Sequence, residues 1–179
     1  MMKHSTLYTS YILAALLCCA IVLPTTVEAV TQPSFKIFGQ VSHPGTVTLA
    51  DLKSLPVANQ TVTYFAAGAV TSHVFTGTPL WSLLEAVGLK VPSEKNGILR
   101  LIVIVTGTDG YESAFGVGEV SPDFGGDQII VAYAQDSQVF PPATFTKIIA
   151  PGDKLGGRFV DEIAKIEVRN VDLPVSSGN

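Results

Sequence analysis

The stretch from Gly77 to Gly88, GTPLWSLLEAVG, decides how the rest of the chain is read. Thr78 offers a side-chain oxygen to the open N–H groups of a helix start. Pro79 suits the first turn, where its missing N–H would have no partner in any case, and Gly88 supplies the C-terminal stop. Leu80, Leu83, Leu84 and Val87 recur at helical spacing and form one apolar face. The pattern predicts a short helix over Pro79–Val87. Toward the N-terminus the period changes to two. Phe35 to Val41 (FKIFGQV) alternates apolar and polar residues as a strand does, Ser42-His43-Pro44-Gly45 turns the chain, and Thr46 to Leu49 returns. Thr48 with Asp51 three residues on predicts a capped helix through Leu55, ended by Pro56. Thr61–Ala67 and His73–Thr76 read as further strands. Toward the C-terminus, Leu99 to Val105 (LRLIVIV) reads as a strand buried along most of its length. Thr108-Asp109-Gly110 turns it, and Tyr111–Phe115 pairs back. Gln128–Ala134, Phe145–Ala150 and Ile163–Val171 complete the chain. The expected class is α+β, with strand-rich mixed or antiparallel sheets and two or three short helices.

The N-terminus has a different character. Lys3 and His4 precede an unbroken apolar run from Ile12 to Leu23, and Val27-Glu28-Ala29 places small or β-branched residues at a cleavage position after Ala29. That is the layout of a secretory signal. The run is about a dozen residues, whereas a bilayer span needs roughly 20. The expected organisation is therefore a signal peptide over 1–29, one domain over 30–172 and a flexible tail over 173–179. A periplasmic or secreted location follows, with no stable membrane anchor after cleavage. The net charge of −4 is scattered, and no basic stripe exists to follow a phosphate backbone, which argues against nucleic acid as a partner. The two cysteines, Cys18 and Cys19, both lie in the signal, so the remaining domain has no disulfide, thiolate ligand or thiol nucleophile.

The order of motifs resembles the molybdopterin-binding domain of the sulfite oxidase family, which also has small exported members. Five segments carry the likeness. They are Gly39-Gln40-Val41 through Pro44-Gly45 with Leu49 and Leu52; Gly77-Thr78-Pro79-Leu80 with Leu83-Leu84; Asp109-Gly110-Tyr111; Ile129 to Tyr133; and Ile148-Ile149-Ala150-Pro151-Gly152 through Arg158 to Ile166-Glu167-Val168. The resemblance implies a cofactor whose molybdenum is held by one cysteine thiolate, from a loop just before the Gly-x-Pro-Leu helix. Counting back from Gly77 puts that position near Tyr64, and matching the Ala67-Gly68 pair puts it at Ala66. Neither residue is a cysteine, and a phenol or a methyl group cannot replace a soft thiolate.

The basic shell implied by the resemblance is altered as well. Lys147 stands where an arginine is expected and lacks the bidentate fork that suits phosphate. An expected histidine falls near Pro142, an expected lysine near Asp161 with the charge reversed, and Arg158 alone matches. Lys147 and Arg158, aimed at one groove, are the candidate ligand-binding pair, with Tyr64, Ala66, Asp109 and Tyr111 as further candidates at the cofactor position. Asp109 is read first as a turn residue bonding its own backbone, and Tyr111 as a half-buried strand residue. His43 is read as solvated, His73 as a core or pocket-lining side chain, and Trp81 as packing. Asp123 and Asp127, flanking Phe124-Gly125-Gly126, form a weak candidate for a hard cation, and no metal is expected. Two functions are expected. The first is a non-catalytic module that binds a small anionic or pterin-like ligand or a partner protein, the cofactor site having degenerated. The second is a molybdenum-cofactor oxidoreductase, or a subunit of one, with atypical ligation and a redox or sensor partner. A β-grasp module of polysaccharide export ranks last.

Overall fold

The structure is a computed structural model that describes residues 32–171. The signal segment expected over 1–29 and the tail expected over 173–179 lie outside the described residues. Strand β1 (Ser34–Gly39) pairs antiparallel with β2 (Gly45–Thr48). Helix α1 (Leu49–Ser54) follows at once, and its start is the predicted capping box. Thr48 Oγ1 accepts the Asp51 N–H, and the Asp51 carboxylate accepts the Thr48 N–H at 2.8 Å. Such a cap stabilises a helix by about 1 kcal/mol.

Strands β3 (Ala58–Ala66) and β4 (Ala69–Pro79) are longer than the pattern predicts and form one continuous hairpin. Ala67 and Gly68, both at positive φ, make its two-residue turn. Polar threonines and serines on the outward face conceal the length of this hairpin in the sequence. Helix α2 (Leu80–Val87) buries Leu80, Leu83, Leu84 and Val87, as its spacing requires. The expected cap is corrected. Pro79 stands at the N-cap, and Thr78 is fully buried and donates its hydroxyl to the Leu52 carbonyl at 2.8 Å. Thr78 thus ties β4 to α1, while the Leu80 N–H is taken by the Ile129 carbonyl. The strand expected to start at Leu99 begins at Leu101, because residues 97–100 form a 3₁₀ turn that leaves Leu99 exposed.

Strands β5 (Leu101–Gly107) and β6 (Glu112–Gly116) and a short helix α3 (Val117–Val120) come next. They are followed by β7 (Ile130–Gln135), β8 (Gln138–Val139), β9 (Lys147–Ile149), β10 (Val160–Asp161) and β11 (Ile163–Asn170). One sheet runs β2-β1-β11-β5-β6, and the other runs β10-β9-β7-β4-β3 with β8 beside β7. Among these strands only β1 and β11 are parallel, so the sheets are mixed to antiparallel as expected. Both contribute to one apolar core, in which the rings of Phe35 and Phe145 stack 6.2 Å apart.

Two glycines of the motifs are explained by close backbone approach. At Gly39 φ is +95°, and a Cβ would meet the Val168 carbonyl oxygen at 2.1 Å. At Gly77, beside the irregularity where β4 meets β7, a Cβ would lie 2.4 Å from the Val131 oxygen. No side chain fits either position.

Candidate functional site

The segment from Ala150 to Asp161 gathers most of the residues expected to act. Its glycine-rich middle, residues 156–158, makes a 3₁₀ turn against the hairpin of β3 and β4. Tyr64, on the inward face of β3, is 8% exposed and packs edge-on against Phe159 with centroids 4.8 Å apart. The Tyr64 ring also lies against Gly156, and the His73 ring stands 6.4 Å away. Ala66 is half-buried at the hairpin tip, opposite Ala69. A phenol and its aromatic neighbours therefore fill one of the two positions indicated for a metal ligand, and the other is a methyl group.

The two candidate cations do not share a groove, which corrects the expectation. Lys147 sits directly across the β9–β10 ladder from Asp161, and its Nζ lies 2.8 Å from Asp161 Oδ1. Its ammonium also faces the Phe159 ring at 6.0 Å. The reversed charge noted at position 161 thus supplies the carboxylate that neutralises Lys147. Arg158 points to the other side. Its Nε and Nη2 donate to both oxygens of Asp153 at 2.8 and 2.7 Å, and Nη1 donates to Glu119 at 2.7 Å. The guanidinium lies 5.0 Å from the Phe115 ring centroid. Its hydrogen bonds to Asp153, partly offset by burial and reinforced by Glu119, raise its pKa further above the ordinary value. Sequence reasoning missed Glu119, Asp153 and Phe159. The acidic signal at 153 and 161 was present, but nothing along the chain joins position 119 to 158.

Asp109 behaves as a turn residue, its Oδ1 accepting the Tyr111 N–H at 2.9 Å. Tyr111 departs from its reading. It precedes β6, is exposed, and donates its hydroxyl to the Gly157 carbonyl, tying the β5–β6 turn to the glycine-rich turn. Asp123 and Asp127 lie on an exposed loop closed by backbone bonds to residues 118, 119 and 121, and no cluster of three metal-ligating side chains occurs among the described residues. His43 is exposed, with Nδ1 3.2 Å from the Val87 carbonyl at the end of α2. His73 lies at the centre of a chain of polar contacts. Its Nδ1 contacts Asp136 Oδ2 at 2.7 Å and its Nε2 contacts Thr71 Oγ1 at 2.9 Å. The Val74 N–H, and after it His73, hold the Asp136 carboxyl below its ordinary pKa. Trp81 is half-buried and lines a pocket of about 320 Å³ with Pro122, Asp127, Gln128 and Ile129. Asp127, Gln128 and Ile129 also line a second pocket of about 370 Å³, closed by Gly152, Asp153 and Arg158.

One mixed and one antiparallel sheet around one core, three short helices and a glycine-rich turn after β9 define a domain of the sulfite-oxidase-like molybdopterin-binding type. The family described as "oxidoreductase molybdopterin binding domain" matches residues 23–173, and the chain belongs to it. The fold is similar to that of the sulfane dehydrogenase SoxCD from Paracoccus pantotrophus, with a TM-score of 0.61 and 19% identity. That likeness covers 80% of this chain and 39% of the other, so the present chain spans about two fifths of its length. No curated protein matches.

The residues present do not fit the family's cofactor. Residues 32–171 contain no cysteine, Tyr64 fills one indicated ligand position, and Lys147 and Arg158 are already paired with carboxylates.

Proposed function

We propose that this chain is an exported, non-catalytic binding module of its family, holding a small uncharged, pterin-like heterocycle rather than a metal-bearing cofactor. The observation that carries the reading is Tyr64, a buried phenol packed on Phe159 at one of the two positions, with Ala66, that the family resemblance indicates for a thiolate. A tyrosine there can line a core but cannot supply the soft sulfur donor the metal would need.

The charge balance selects among ligands. Around the two pockets sharing Asp127, Gln128 and Ile129, the carboxylates of Asp127, Asp153 and Glu119 outnumber the guanidinium of Arg158. A phosphate entering there would meet net negative charge, whereas a neutral ring bearing amino and imino donors would meet acceptors. Trp81 offers such a ring an aromatic face.

The test is calorimetric titration of the purified protein with free pterin, together with elemental analysis of protein taken from its native compartment. Saturable binding at one per chain, weakened about tenfold or more by Asp127→Ala, is expected, with no stoichiometric molybdenum. Near one molybdenum atom per chain, or no pterin binding at millimolar concentration, would overturn the reading.

A further inference from the structure

Among the described residues the second sheet ends at β3, and its edge is unpaired from Asn59 to Thr63. The Phe65 N–H donates to the Lys154 carbonyl at 2.9 Å, away from β4. In an antiparallel ladder the direction alternates, so the N–H and C=O groups of Asn59, Thr61 and Thr63 point outward as well. Among the described residues these groups have no backbone partner, and β3 pairs only with β4 apart from the bridge between Phe65 and Leu155. The edge is also regular. No bulge interrupts the pairing of Ala58–Ala66 with Ala69–Gly77, and outward side chains are pinned across the hairpin by Thr63–Ser72 at 3.0 Å and Thr76–Asn59 at 2.6 Å.

Natural proteins blunt such an edge with lysine, proline, a bulge or a cover. From Val57 to Ala66 (VANQTVTYFA) there is no lysine, proline, arginine, histidine, aspartate or glutamate. Val57 stands 56% exposed at one end, and on the outer face Val74 is 42% exposed. This uncharged strip lies on a chain whose net charge is −4.

We propose that the chain dimerises through this edge, a second copy laying its own β3 antiparallel along residues 57–63. A two-fold axis at Gln60 sets Asn59 of one copy opposite Thr61 of the other, and Val57 opposite Thr63. A second copy fits this edge without charge conflict. A two-fold axis brings each surface against itself, so a charged edge would oppose like charges, and this edge opposes none. Geometry stops growth at two. Lys154 and Leu155 already occupy the edge beside Phe65, and the sheet's far edge, β10, is two residues long and carries the Lys147–Asp161 ion pair. The proposal is independent of the ligand pockets, which lie on other elements.

Sedimentation equilibrium of the purified protein, with amide hydrogen exchange read residue by residue, tests it. A monomer–dimer equilibrium is expected, with the amides of Asn59, Thr61 and Thr63 becoming protected as concentration rises. Thr61→Lys with Thr63→Lys places four ammonium groups across the axis and is expected to weaken dimerisation about tenfold or more. Both substitutions are on exposed positions, and an unchanged melting temperature verifies that the fold is kept. A protein that stays monomeric at high concentration, or a dimer indifferent to the two lysines, would overturn the proposal. Protection of these amides only on adding a foreign extended peptide would overturn it too, by showing a different occupant.

Discussion

The ring of Tyr64 stands edge-on to that of Phe159, 4.8 Å between centroids and 68° between planes. This pair joins the long hairpin to the glycine-rich turn, and Tyr64 is one of the two positions, with Ala66, that the family resemblance indicates for a metal-bound sulfur. Its hydroxyl makes no hydrogen bond among the described residues, so the ring carries the contact.

Tyr64→Ala should therefore destabilise the fold by about 3 kcal/mol, the usual cost of removing a buried aromatic ring. Tyr64→Phe should cost under about 0.5 kcal/mol. Urea unfolding of both variants measures the difference. A large loss in Tyr64→Phe would show that the phenol oxygen matters and that the ring alone does not explain the residue.

Arg158 should act as a structural clamp. Arg158→Ala leaves Asp153 and Glu119 facing each other across the gap. Because the side chain is 38% exposed, the expected cost is about 1–2 kcal/mol rather than that of a buried pair. Arg158→Lys should recover less than half of it, since an ammonium cannot make the two-pronged contact with Asp153. Denaturation midpoints in low and high salt check both statements.

Asp136 predicts a pH dependence whose sign follows from its partners. The Val74 N–H and then His73 lower its folded pKa below the ordinary value. Its contribution is therefore fully present above the unfolded pKa of about 4 and is lost as pH falls through the lower folded value. As pH falls below about 4, melting temperature should drop more steeply in the parent than in Asp136→Asn. Equal slopes would remove Asp136 from the acid response.

Gly77→Ala should be among the most damaging single-methyl changes. The added Cβ would lie 2.4 Å from the Val131 oxygen and 2.6 Å from Ala132 Cα, and both are backbone atoms in a buried strand. A cost of about 3 kcal/mol or more is expected, read as loss of soluble protein or a collapsed melting temperature. Gly152→Ala, where nothing lies within 4 Å of the added Cβ, is the control.

The elements that could be read along the chain were those stabilised by their own residues. Thr48 and Asp51 make their capping box within a span of four residues, and α2 carries its apolar stripe in one turn after another. The N-cap of α2 was misread because Thr78 has two available partners. The Leu52 carbonyl is nearby only once β4 has packed on α1. The hairpin of β3 and β4 looked like two short strands because its outward face is threonine and serine, so the period-two signal lacks apolar contrast.

The candidate site followed the same division. The missing thiolate and the reversed charge at Asp161 are visible in the order of residues, because each is a statement about one position. Whether Lys147 and Arg158 meet is a statement about direction. It was decided by the β9–β10 register, which sets Lys147 against Asp161, and by the turn that aims Arg158 at Asp153 and Glu119. Sequence alone determined which chemistry this domain lacks, since donor atoms are fixed by residue type. Tertiary structure alone decided which charges neutralise one another and which strand edge is left unpaired among the described residues, since both depend on contacts between residues far apart along the chain.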